Sequence, residues 1–159
     1  SISQWIVTME ALQRFKVSSP EQDVEVLPYL KGNGTASYDI NLEAWLKPGD
    51  GVDTLITKSN HKYLYWTMAQ QLTHHTVNGC NMRIGDLCAS GTISGKTPDS
   101  FGSLLELTWK GERPIVLADG TQRKFLEDYD QVTMKAFAQK DGKRVGFGQV
   151  KTEILPAQD

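Results

Sequence analysis

The stretch Tyr38-Asp39-Ile40-Asn41-Leu42-Glu43-Ala44-Trp45-Leu46 puts Tyr38, Ile40, Leu42, Ala44 and Leu46 on one side of an extended chain and Asp39, Asn41 and Glu43 on the other. Period-two alternation of this kind belongs to a strand with one buried face. Pro48-Gly49-Asp50-Gly51 follows and turns the chain into a second strand predicted over residues 52–58. Two further turn signals, Asp119-Gly120 and Asp141-Gly142, are flanked by strand-like runs such as 131–139 and 144–150. Residues 104–109 read as another strand, with Leu105, Leu107 and Trp109 sharing a face. Strands joined by tight turns dominate the plan.

Helical signals are fewer. Thr8-Met9-Glu10-Ala11-Leu12-Gln13-Arg14-Phe15 predicts a short helix with Thr8 as its N-cap. Residues 17–34, which include Pro20, Pro28, Gly32 and Gly34, read as an exposed loop. Ser59 or Asn60 is expected to cap a longer helix in which Leu64, Met68 and Leu72 recur at i, i+4 and i+8, with Gly79 as a natural stop. There is no internal repeat and no low-complexity tract. The expected fold class is α+β and β-rich, with two short helices.

The 159 residues suit one domain, long enough to bury about two thirds of the unfolded surface. Seventeen basic against nineteen acidic residues leave a formal charge of −2, which argues against a nucleic-acid partner held mainly by electrostatics. No apolar run approaches the roughly 20 residues of a membrane helix, and no basic-then-apolar stretch opens the sequence. Cys80 and Cys88 form no CxxC pair and read as two reduced thiols, so a cytoplasmic protein is expected. The chain starts at Ser1 and runs straight into apolar Ile2-Ser3-Gln4-Trp5-Ile6-Val7. Domain ends are usually polar, so this start is expected to be a boundary within a longer protein.

Three places could carry chemistry. His74-His75 are adjacent in the long helix and point about 100° apart, so they cannot share one metal as His residues at i and i+4 can; a structural role at the helix C-terminus is expected. The run Gly85-Asp86-Leu87-Cys88-Ala89-Ser90-Gly91-Thr92-Ile93-Ser94-Gly95 has the glycines and hydroxyls that let a backbone approach a ligand, but neither a Walker A ending nor the dinucleotide spacing. As spacing alone it is a tight turn. Glu106 is the one charge in an otherwise apolar run. Facing solvent it is an ordinary strand residue; facing a pocket it could orient and charge-stabilise a histidine base.

Longer runs bear a resemblance. Gln70-Gln71-Leu72-Thr73-His74-His75-Thr76-Val77-Asn78-Gly79-Cys80-Asn81, then Gly85-Asp86-Leu87, Ala89-Ser90-Gly91-Thr92-Ile93-Ser94-Gly95, Ser100-Phe101-Gly102-Ser103, Leu105-Glu106-Leu107 and Trp109-Lys110-Gly111 resemble the fumarylacetoacetase family. Arg144-Val145-Gly146-Phe147-Gly148-Gln149 and Leu155-Pro156-Ala157 are similar to its closing strand and tail. The likeness covers nearly the whole chain and is densest over residues 57–111 and 123–157. Ile84, Cys88 and Tyr129 depart from the usual family residues.

The resemblance implies a mixed β-sandwich roll, a homodimer, and hydrolysis of the carbon–carbon bond of 4-fumarylacetoacetate to fumarate and acetoacetate, the last step of tyrosine breakdown. It implies that a histidine paired with a glutamate activates water, that a lysine with arginine and glutamine neighbours stabilises the oxyanion, and that a divalent cation, calcium or magnesium, grips the diketo acid substrate. Carried over by motif, Glu106 is the glutamate paired with the histidine and Thr92 binds substrate. The base histidine, the lysine and the metal-binding carboxylates match segments upstream of Ser1, so no metal ligand is expected in residues 1–159. The chain is then the C-terminal part of a catalytic domain, completed by upstream sequence or a companion chain. Two other readings stand beside it: a related diketo-acid hydrolase or decarboxylase, and a non-catalytic binding or assembly module of the same fold.

Overall fold

A computed structural model describes residues 1–32 and 36–158. In chain order these form α1 (Met9–Leu12), β1 (Lys16–Val17), β2 (Ser37–Tyr38), β3 (Asn41–Lys47), β4 (Thr54–Asn60), α2 (Met68–Thr76), α3 (Leu104–Leu107), β5 (Ile115–Val116), β6 (Gln122–Arg123), β7 (Gln131–Lys140) and β8 (Lys143–Glu153). Short 3-10 turns at Gln13–Phe15, Pro28–Leu30, His61–Tyr63 and Pro98–Ser100 link them. The frame is a four-stranded antiparallel sheet in the order β4-β3-β7-β8, with two small ribbons, β1-β2 and β5-β6. The β-rich α+β expectation holds.

The Asp-Gly signals work as local chemistry dictates. Asp141 and Gly142 both take left-handed backbone angles, φ 49° and 70°, which is the twist that a two-residue hairpin needs between β7 and β8. At Asp119-Gly120 the Leu117 and Thr121 backbones close the turn between β5 and β6, and the Asp119 carboxylate accepts from the Thr121 amide.

The alternation read over 38–46 also survives, interrupted between β2 and β3. Leu42, Ala44 and Leu46 of β3 lie opposite Ala136, Met134 and Val132 of β7, so one sheet face is apolar along its length. At one end of that face Leu12, Phe15, Tyr38, Ile40 and Ala138 form a buried cluster, joined by Val7, Leu42, Ala136, Val145 and Phe147. Leu46 is sealed at the other end. The opposite face is amphipathic: the Lys135 ammonium sits 5.1 Å from the Trp45 ring, and the Arg144 guanidinium 3.9 Å from that of Phe137.

α1 begins where expected, with the Thr8 hydroxyl accepting from the Ala11 amide. The longer helix starts later than its apolar spacing suggested. Asn60 caps only the turn at His61–Tyr63, and Thr67 caps α2, paired with Gln70 in a reciprocal capping box. Leu64 therefore lies outside the helix whose stripe it was expected to begin. Of the loop expected over 17–34, Val17 pairs with Ser37, and positions 33 and 34 lie outside the described residues. Among the described residues no helix is long and apolar enough to cross a membrane.

The strand expected over 104–109 is wrong. Residues Leu104–Leu107 are a turn of α-helix, with the Ser103 hydroxyl accepting from the Glu106 amide at its start. Leu-Leu-Glu-Leu fits a helix as readily as a strand, since Leu and Glu are good helix formers. Trp109, Lys110 and Gly111 then run through left-handed angles, φ 47°, 59° and 84°, which no strand can follow. The buried Thr108 hydroxyl ties this exit, donating to the Leu104 carbonyl and accepting from the Gly111 amide.

Candidate functional site

The site is built from two segments that cross near the middle of the apolar sheet face. The first is the glycine-rich loop, which has no helix or strand between Gly85 and Lys96. It is anchored to β4 by the Ser59 hydroxyl, which donates to the Ile93 carbonyl at 2.6 Å. The second is the turn into α3. Gly102 lets the two touch: a Cβ there would fall 2.6 Å from the Ile93 oxygen and 2.7 Å from Thr92 Cγ2. Gly102→Ala is therefore expected to push the two crossing segments apart and to cost about 1–3 kcal/mol, as overpacking does. A thermal midpoint equal to wild type in the full-length protein would show that the crossing is not tight.

Thr92 is exposed and, with Gly91, Ile93 and Gly102, walls an open trough of about 570 Å³. Leu42 and Ala44 of β3, Thr57 and Ser59 of β4, and Met134 and Ala136 of β7 line its floor. Most of this lining is apolar, with hydroxyls on one side, a composition suited to a small organic ligand.

Glu106 is half-buried at the third position of α3, not on a strand face. The Ser94 hydroxyl lies 2.8 Å from its Oε1 and 2.9 Å from its Oε2, and the Ser103 hydroxyl 2.7 Å from Oε2. Ser94 also accepts from the Gly102 amide at 3.0 Å. The carboxylate is thus bonded to the loop that carries Thr92, two residues away from it. From the sequence alone Ser94 reads only as one of the hydroxyls of the glycine run, and Ser103 does not read as a candidate. The signal was there: Ser103-Leu104-Leu105-Glu106 has the spacing of a helix N-terminus in which a hydroxyl and a carboxylate meet.

The histidines lie elsewhere. His74 Nδ1 is 3.0 Å from the Tyr29 hydroxyl, with the two rings stacked, and His75 Nε2 is 3.4 Å from Cys80 Sγ. The neighbours thus serve different partners. His61 packs edge-on to Tyr38, and burial holds its imidazole below the ordinary value against the opposing pull of a hydrogen bond with the Tyr38 backbone. None of them bonds Glu106. Among the described residues no three His, Cys, Asp or Glu side chains group so as to hold a metal ion.

A family model described as fumarylacetoacetate (FAA) hydrolase C-terminal matches residues 1–155. The chain belongs to this family. It is 55% identical over 159 residues to the fumarylacetoacetase of Homo sapiens, covering 99% of this chain and 38% of that protein. The fumarylacetoacetase of Arabidopsis thaliana is 54% identical over 158 residues, with 99% and 37% covered, and that of Caenorhabditis elegans 45% identical over 158 residues, with 99% and 38% covered. The chain thus spans about 38% of the length of these relatives. The long runs around His74–Cys80 and Gly85–Gly95 fall inside the region matched by the family model.

Proposed function

We propose that these residues supply part of the active site of a fumarylacetoacetase-type hydrolase, which cleaves the carbon–carbon bond of 4-fumarylacetoacetate to give fumarate and acetoacetate. The observation that carries this reading is the Glu106 carboxylate, fixed by two serine hydroxyls next to the loop that bears Thr92. A carboxylate so held is suited to accept the N–H of a histidine, keep that ring in the tautomer that removes a proton from water, and stabilise the imidazolium that results. Water loses its proton to the histidine as its oxygen adds to the ketone carbonyl. Collapse of the tetrahedral adduct breaks the bond to the acetoacetate carbon, which takes up a proton.

In this reading Thr92 contacts the substrate in the trough, and the histidine and the oxyanion-stabilising lysine come from sequence outside residues 1–159. The described residues do not fit a divalent cation, because no three His, Cys, Asp or Glu side chains among them group so as to hold one. Calcium or magnesium would be held by carboxylates outside residues 1–159. The complete enzyme is read as a cytoplasmic homodimer.

The test follows fumarate and acetoacetate release by the full-length protein from 4-fumarylacetoacetate and, in parallel, from simple acylpyruvates. Cleavage of the first with little of the second is expected. Preferential cleavage or decarboxylation of the acylpyruvates would move the protein to another branch, and silence on all of them would favour a binding module.

A further inference from the structure

The two serines around Glu106 do more than fill its hydrogen-bonding capacity. Each hydroxyl oxygen already accepts a backbone amide: Ser94 that of Gly102 at 3.0 Å, Ser103 that of Glu106 itself at 3.3 Å. An amide can only donate, so each serine proton is left to point at the carboxylate. Two chains of aligned donors result, Gly102 N–H to Ser94 O–H to Glu106, and Glu106 N–H to Ser103 O–H to Glu106. Donors aligned in this way polarise one another and hold the carboxylate in one orientation.

The arrangement is also asymmetric. Oε2 has both serine hydroxyls within reach, whereas Oε1 has only that of Ser94, shared with its neighbour. The single Ser94 proton is shared between the two oxygens and Ser103 adds one to Oε2 alone, so Oε1 is the less occupied of the pair. We propose that Ser94 and Ser103 are positioning residues of the proposed hydrolase: their amide-fixed hydroxyls lock the Glu106 carboxylate and leave Oε1, the oxygen away from Ser103, to receive the N–H of the base histidine. This rests on the reading of Glu106 as the histidine's partner. Ser103 also caps α3, so its removal perturbs the helix as well. Ser94 caps no helix and is the cleaner probe.

The experiment compares Ser94→Ala, Ser94→Thr and Glu106→Gln in the full-length protein, reading kcat, KM and the pH dependence of kcat on 4-fumarylacetoacetate. Ser94→Ala is expected to lower kcat about tenfold, the effect of one charge-assisted hydrogen bond, with KM within about twofold of wild type. Losing a donor leaves more negative charge on the carboxylate oxygens, which strengthens their hold on the imidazolium form of the histidine they face. The acidic limb of the kcat profile should therefore move to higher pH, a change that loosened packing would not produce. Ser94→Thr, which keeps the hydroxyl, should restore most of kcat and return the limb. Wild-type kcat with an unmoved limb in Ser94→Ala, while Glu106→Gln is inactive, overturns the positioning role and leaves that of Glu106 intact. Near-normal turnover in Glu106→Gln overturns both. If Ser94→Ala does not fold, Ser94→Cys, a weak donor of similar size, takes its place with the same expected and overturning results.

Discussion

Glu106→Gln in the full-length protein is expected to lower kcat by about a thousand- to ten-thousandfold, the scale of loss when a carboxylate that orients a histidine base becomes an amide. The substitution keeps the shape of the side chain and can still accept from Ser94 and Ser103, so folding should be nearly unaffected. What changes is the sign of one contact. An amide nitrogen placed toward the histidine offers hydrogens where the ring needs an acceptor, which favours the tautomer unable to take a proton from water. It also removes the negative charge that stabilises the imidazolium. Steady-state kinetics with a thermal melt of the same sample check both halves. Loss of activity together with a large fall in the melting midpoint would mean that Glu106 holds the fold rather than the base.

Asp130→Ala should be the most damaging single change to stability away from the apolar core. Asp130 is fully buried, and its carboxylate accepts from Arg123 Nε and Nη2 at 3.0 Å each and from the Glu127 amide at 2.9 Å. Its backbone carbonyl accepts from the Ile154 amide, so one residue joins β6, the entry to β7 and the exit of β8. The hydrogen bonds to Asp130 hold the Arg123 guanidinium above its already high ordinary value, and an arginine stays charged in a protein even when such a partner is removed. A side chain only 11% exposed would then keep just the exposed Glu127 carboxylate, 3.3 Å from Nη1, as its counter-charge. Breaking a buried pair from one side costs about 3–5 kcal/mol, a large part of the 5–15 kcal/mol that typically holds a protein folded. Denaturant melts of the full-length protein give the value. The double variant Arg123→Met with Asp130→Leu should recover most of it, because apolar groups of similar size need no partner. A double variant no better than Asp130→Ala would mean that the loss lay in the Glu127 and backbone contacts instead.

The readable parts of this fold are those in which one residue type leaves the backbone little choice. Asp141-Gly142 had to be a hairpin because both residues tolerate left-handed angles, and the alternation from Tyr38 to Leu46 had one plausible buried side. Leu104 to Trp109 was misread because apolar spacing over six residues suits both periods, while the deciding feature, Ser103 three residues before Glu106, is polar. The same bias toward apolar spacing drew the long helix back to Leu64, although Thr67 and Gln70 form its true start. Glu106 was visible as a candidate, from its isolation among leucines and from the family runs around it. Ser94 was not, because its contact with Glu106 depends on how the loop crosses the α3 turn at Gly102, and no local pattern encodes that crossing.

The order β4-β3-β7-β8 carries a consequence for the birth of the site. β3–β4 and β7–β8 are each hairpins between neighbours in sequence, and such units close within microseconds. Their seam, β3 against β7, forms only when residues 61–130 are gathered into a loop, whose entropic cost grows with length and slows folding. Thr92, Ser94, Ser103 and Glu106 all lie within that loop. The wall of the trough is moored to its floor through Ser59 of the first hairpin, and part of that floor belongs to the second. The two hairpins can therefore close before the trough exists, and the groups read as chemical take their places only when the seam shuts around them.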